Sequence, residues 1–152
     1  MQKFLQMALK RAAAHEYDDN ADYHLCALIV RGGSVVSVGY NRRSTTAFVE
    51  HYTDQVRGCG RGYSLSTHAE MDAVAQARDK TDLKGCKLYV ARRRLGDGNV
   101  GLARPCSICQ NVLWNYGISK AYYTIDNENF GVMKVIQHNI SDSIVSSSLE
   151  DQ

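Results

Sequence analysis

Among its 152 residues the chain has one proline, one tryptophan, no apolar run of 18 residues and almost no excess of either charge. Without such a run there is no candidate membrane-spanning helix. Lysine and arginine number 18 against 16 aspartates and glutamates, a net charge of +2. That balance provides no broad basic footprint of the kind a polynucleotide-binding surface needs. Met1 to Lys10 is a short amphipathic start with charges embedded, unlike a secretory leader, and no internal repeat is visible. A hydrophobic content of 44% and a charged content of 22% are ordinary for a globular protein, and the length suits one domain with a real core.

The one proline, Pro105, stands directly before Cys106-Ser107-Ile108-Cys109, and His68-Ala69-Glu70 lies upstream. Cysteines at i and i+3 share a helix face and can grip one metal, with His68 as a third ligand. Three protein ligands leave a tetrahedral zinc ion one open position, as in a catalytic rather than a structural site. Two thiolates and an imidazole cancel the ion's charge, so a nearby general base would help, and Glu70 is the candidate. On one helix, residues two apart point about 200° from each other. His68 and Glu70 therefore meet at a metal only if it lies off a helix end. Ser66 and Thr67 are good N-cap residues before the apolar pattern Met71, Val74, Ala75, Ala77, which puts His68 and Glu70 in a first turn. Pro105 is a favoured first helical residue, placing Cys106 at a second helix start. Both helix dipoles would then favour an anion at the metal.

Other readings of the same residues exist. Thr67-x-x-Glu70 is also a capping box, in which Glu70 only satisfies a backbone donor. The CxxC alone would suit a redox pair. A fourth ligand from Cys26, Cys59 or Cys86 would make the zinc structural. A non-catalytic zinc-binding module would also use these ligands. Five cysteines with two on a metal leave an odd remainder, which suits a reducing interior and a cytoplasmic location.

Phe4, Leu5, Ala8, Leu9 and Ala12 predict a first helix reaching Tyr17. Leu25 to Val30 and Val35 to Tyr40 are β-rich runs joined by the hairpin signal Arg31-Gly32-Gly33-Ser34. A long irregular stretch, Asn41 to Thr67, precedes the His-Ala-Glu helix. Lys87 to Arg94 predicts a third strand, and Leu95 to Asn99 a hairpin tip returning through Val100 to Arg104. Pro105 to Tyr116 is the cysteine helix, Lys120 to Ile125 a fourth strand, and Phe130 to Gln137 a final helix or strand. Trp114 and Tyr116 are expected in the core. Strands alternating with helices predict an α/β fold, a three-layer α/β/α sandwich on a mixed central sheet. Residues 1–138 would form the domain, and the serine-rich 139–152 a loose tail.

The H-x-E and P-C-x-x-C pair resembles the signature of zinc nucleobase deaminases, in which the glutamate is general acid and base without ligating the metal. With Gly39-Tyr40-Asn41 and Gly117-Ile118-Ser119-Lys120-Ala121-Tyr122-Tyr123, the chain resembles the cytidine and deoxycytidylate deaminase superfamily as far as about residue 136. The resemblance implies the fold just described and zinc as cofactor on His68, Cys106 and Cys109. It implies Glu70 as the catalytic residue, Ala69 backbone against the base, and Asn41 on the sugar or base. A turn residue closing the second strand is the other reading of Asn41. Relatives commonly assemble into homo-oligomers, which is the expectation here too.

The stretch between Asn41 and His68 is longer than in tRNA adenosine and guanine deaminases and is more similar to that of deoxycytidylate deaminases. A free nucleotide, with dCMP first, is thus the expected substrate and partner. Single-stranded DNA or tRNA is the second choice. Arg42, Arg43, Arg92, Arg94 and Arg104 flank the predicted site as candidate phosphate ligands, or are solvated loop arginines. Arg104 departs from the deoxycytidylate pattern, which usually has an apolar residue before Pro-Cys. His51 and Cys59 are candidates for a second, structural zinc.

Overall fold

The computed structural model describes residues 1–17, 23–44, 48 and 67–138. The 139–152 segment and most of the stretch after Ser44, and with it His51 and Cys59, lie outside the described residues. Helix α1 (Lys3–Ala14) leads into β1 (His24–Arg31) and β2 (Ser34–Tyr40), followed by α2 (Ala69–Gln76), a 3-10 turn at Lys80–Leu83, and β3 (Lys87–Arg93). Then come β4 (Val100–Gly101), α3 (Ser107–Asn115), β5 (Lys120–Thr124) and β6 (Phe130–Lys134). The sheet order is β2-β1-β3-β5-β6, with β4 on β3. Among the described strands only β3 and β5 pair in parallel. Their connection through α3 is the crossover a parallel pair requires.

The apolar run from Leu25 to Val30 alternates between two cores because β1 is covered on both faces. Cys26, Leu28 and Val30 meet Leu5, Ala8, Leu9 and Ala12 of α1, together with Tyr89 and Ala91. Ala27 and Ile29 face the other way, with Leu88 and Val90, into a core built on Met71, Val74, Val112 and Leu113 of α2 and α3. This is the expected three-layer sandwich. The β1–β2 turn sits where Gly32 and Gly33 place it: both have positive φ, +53° and +86°, as a two-residue hairpin of this type requires.

Two expectations need correction, and one left open is resolved. Helix α1 stops at Ala14, because His15 is extended with ψ 141°. The final segment is a strand, its Val132 and Met133 in register with Tyr122 and Ala121. Trp114 is 44% exposed, since Ile108, Cys109, Val112 and Leu113 take the core face of α3. Tyr116 does pack against the core, beside Phe48.

Helix α2 lies on β2 with backbone against backbone. A Cβ added to Gly39 would fall 2.1 Å from the Ala73 nitrogen and 2.4 Å from the Ala69 carbonyl oxygen. Ser37 Oγ reinforces the approach by donating to the Ala73 carbonyl at 2.6 Å. Gly39→Ala cannot be absorbed by a side-chain shift, because both obstacles are main chain. The variant should lose about 3 kcal/mol or more of stability, read as the urea midpoint. A midpoint within error of wild type would show that α2 has room to move.

Candidate active site

The positions of His68 and Glu70 follow from how α2 begins. His68 is the N-cap, extended at φ −78° and ψ 152°, so its side chain is set by strand-like backbone and not by the helix. The two-residue spacing from Glu70, awkward on one helix, is thereby resolved. The cap assignment of Ser66 or Thr67 is corrected: Thr67 pairs with Arg42 through two backbone bonds of 2.9 Å, and its hydroxyl donates to the Ser44 carbonyl. The Thr67–Glu70 capping box is therefore not formed. Helix α3 repeats the arrangement. Cys106 is its N-cap, and its sulfur accepts the Cys109 N–H at 3.5 Å. Pro105 thus precedes the cap instead of opening the helix.

His68, Cys106 and Cys109 converge, their ligand atoms all lying within 4.8 Å of one another. His68 Nδ1 is 3.7 Å from Cys106 Sγ and 3.3 Å from Cys109 Sγ. A tetrahedral zinc with ordinary Zn–S and Zn–N bonds separates such atoms by about 3.5 Å. The donor set and its spacing therefore fit zinc. Cys26 lies in the core on the α1 face, and neither it nor Cys86 joins the cluster, so among the described residues the ligand count stays at three.

The titratable groups of the cluster act on one another at close range. Burial pushes the His68 imidazole down, but the hydrogen bond and charge of Cys106 and the charge of Glu70 outweigh it and lift the ring to about 9. Cys106 is held well below the usual thiol range, first by its hydrogen bond from Cys109 and then by His68, against the cost of burial. Cys109, the donor to that thiolate, is pushed up. Glu70 is 5% exposed and its carboxyl is raised by burial, with His68 opposing. Cys109 also opposes the rise, which sets the Glu70 carboxyl beside the ligand triangle.

Ala69 is buried at the first position of α2, between the ligand and Glu70. The Asn41 amide is engaged with β1: Oδ1 accepts from Leu25 N–H at 2.8 Å and Nδ2 donates to the Tyr23 carbonyl at 2.7 Å. This matches its reading as the residue that closes β2. Arg42, a phosphate candidate in the sequence, is instead paired with buried Asp72 at 3.2 Å. Asp72 escaped the sequence reading, although an acid inside Met71-Asp72-Ala73-Val74 is its signal. It also accepts the Tyr40 N–H at 2.9 Å, so it joins the end of β2 to α2 next to His68. Gln110 was likewise missed; it donates to the Pro105 carbonyl at 3.1 Å and meets His138 at 3.0 Å, steadying the segment before Cys106.

No helix among the described residues is long and apolar enough to cross a membrane. No curated protein matches the chain in sequence. Its fold is similar to that of cytidine deaminase from Burkholderia pseudomallei, at 19% identity and TM-score 0.55 over 94% of this chain and 96% of that one. It is also similar to dCMP deaminase from the cyanophage S-TIM5 in complex with dCMP and dUMP, at 17% identity and TM-score 0.51 over 96% and 88%. Residues 1–125 match the cytidine and deoxycytidylate deaminase zinc-binding region. That match spans most of the chain and contains all four residues of the His68, Glu70, Cys106 and Cys109 cluster, so the chain belongs to this deaminase family and is a zinc-dependent hydrolytic deaminase.

Proposed function

We propose that the protein deaminates dCMP to dUMP with release of ammonia, using Glu70 as its proton carrier. The observation that carries this reading is the buried Glu70 carboxylate on Cys109, beside three ligand atoms spaced for one zinc ion. Zinc, when bound to His68, Cys106 and Cys109, supplies an acidified water as nucleophile. Glu70 accepts a proton from the attacking water, delivers it to N3 of the pyrimidine, and passes the second to the departing amine. One water is consumed and one ammonia leaves. Burial favours the protonated carboxyl, which brings Glu70 nearer the neutral pH at which it must both take and give a proton. The backbone at Ala69 lies against the base. Asn41, with one Nδ2 hydrogen left over, reaches the sugar or base. The nucleotide monophosphate as substrate class is supported by the arginine-rich end of β3, and the cyanophage protein of the same fold is in complex with dCMP and dUMP.

An ammonia-release panel on zinc-loaded protein tests the reading, with dCMP, CMP, deoxycytidine, cytidine, adenosine, guanine and short single-stranded oligonucleotides. dCMP should exceed deoxycytidine in kcat/KM by about a hundredfold, the order expected of one buried charge-assisted phosphate contact. Activity confined to oligonucleotides, or to the nucleosides, would replace the proposed substrate.

A further inference from the structure

We propose that Arg92 reads the phosphate of the substrate, held over the ring of Tyr23 at the strand-end rim of the zinc site. The inference rests on the nucleotide reading above and names the residue that enforces it.

On β3, Leu88 and Val90 face the layer that holds the zinc ligands, whereas Tyr89 and Ala91 face α1. Strand alternation gives Arg92 the zinc-site face and Arg93 the other. Arg93 accordingly donates to the Leu9 carbonyl of α1 and to the Gly98 carbonyl. Arg94 is paired with Asp97 at 3.2 Å, and Arg42 with Asp72. Arg104 is exposed. Arg92 differs from these: its Nε is buried and has no hydrogen-bond partner among the described residues. No described carboxylate claims this guanidinium, and the planar fork of an arginine with its Nε buried and unpaired suits the oxygens of an anion brought to its outer end.

The surroundings keep that side chain in place. Its guanidinium carbon lies 4.3 Å from the centroid of the Tyr23 ring. Gly101, opposite Arg92 on β4, leaves the space it crosses, since a Cβ there would stand 3.3 Å from Arg92 Cδ and Nε. Tyr23 is tied through its carbonyl to Asn41, and the next residue, Arg42, is paired by backbone to Thr67, the neighbour of His68. From the zinc ligand to the Arg92 platform the chain thus runs through directly bonded residues. A base at the zinc would leave its 5′ end to be met along this rim.

The experiment uses zinc-loaded Glu70→Gln protein, which holds ligand without turnover, titrated calorimetrically with dCMP and with deoxycytidine. Adding Arg92→Gln should weaken dCMP by about a hundredfold while collapsing its advantage over deoxycytidine. Arg92→Lys should recover part of the loss, because the charge returns but not the planar fork. Tyr23→Leu, at a position 48% exposed and so of little consequence for folding, should cost dCMP about fivefold by removing the ring under the cation. Equal weakening of both ligands, or no weakening in either variant, overturns the proposal. If Arg92→Gln selectively weakens dCMP but wild-type protein releases no ammonia from it, Arg92 keeps its role and the proposed reaction fails. If dCMP binds no tighter than deoxycytidine, no phosphate is read and the role of Arg92 fails, whichever compound is turned over.

Discussion

Replacing Glu70 with Gln should lower kcat on the preferred substrate by about ten-thousandfold while zinc content stays at one per chain. That factor is the upper end of what one positioned acid–base group contributes, and it corresponds to about 5.5 kcal/mol in the barrier. Glutamine keeps the shape and can still meet Cys109, but it cannot take a proton from water or hand one to the leaving amine. The structural side of the substitution should be mild, because Glu70 closes no capping box: the Thr67 hydroxyl is spent on Ser44, and burial disfavours the carboxylate. The melting temperature should hold or rise slightly. Glu70→Asp is the sharper comparison. It retains the acid but withdraws it by one methylene, and a misplacement of that order should cost about a hundredfold. Ammonia release, zinc analysis and a thermal melt on the same preparations decide the matter. Glu70→Gln protein retaining a tenth of wild-type kcat would remove Glu70 from the reaction.

What could be read without coordinates was what local pattern controls. The Gly32-Gly33 hairpin, the alternation through β1 and the CxxC at a helix start all depend on residues within a few positions of each other. Errors arose where a distant residue took over a local role. Thr67 is an excellent cap by type, yet its backbone is claimed by Arg42 and its hydroxyl by Ser44, so the cap passes to His68. Pro105 would suit a first helical position, but the Cys106 sulfur captures the Cys109 N–H and shifts the helix start beyond it. Both displacements put His68 and Cys106 on extended backbone at helix N-termini, with Cys109 in the first turn of its helix, so that three ligands and a carboxylate can meet. The arginines show the same limit. Arg42, Arg92 and Arg94 are alike in sequence, and only the placement of Asp72, Asp97 and Tyr23 separates an ion-paired arginine from one with an idle buried donor. Gly39 was legible as part of a resemblance, but its cause, an α2 backbone within 2.4 Å of where a Cβ would sit, is a tertiary fact.

Zinc affinity should rise by about a hundredfold per pH unit between pH 6 and 8, because two protons must leave for each ion bound. The ligands of the zinc-free protein carry unequal shares of that cost. With the imidazole lifted to about 9, His68 is protonated throughout this interval, and Cys109, pushed up, is protonated as well. Cys106, held well below the ordinary thiol range, is already a thiolate and releases nothing. The sign follows directly: a metal competing with two bound protons gains as pH rises and loses as it falls, each proton contributing a factor of about ten per unit. Cys109→Ser should weaken zinc at every pH and also reduce the slope from about two protons to about one, since serine brings no titrating proton here. Competition against a chromophoric chelator, corrected for the chelator's own protonation, measures both slopes. A wild-type slope near zero would mean that the ligands are already deprotonated before the metal arrives. The imidazolium–thiolate pairing of His68 with Cys106 would then be absent from the free protein. A slope near two in wild type, falling to about one in Cys109→Ser, would instead show that two ligand protons stay bound until zinc arrives and that the proton on Cys109 is one of them.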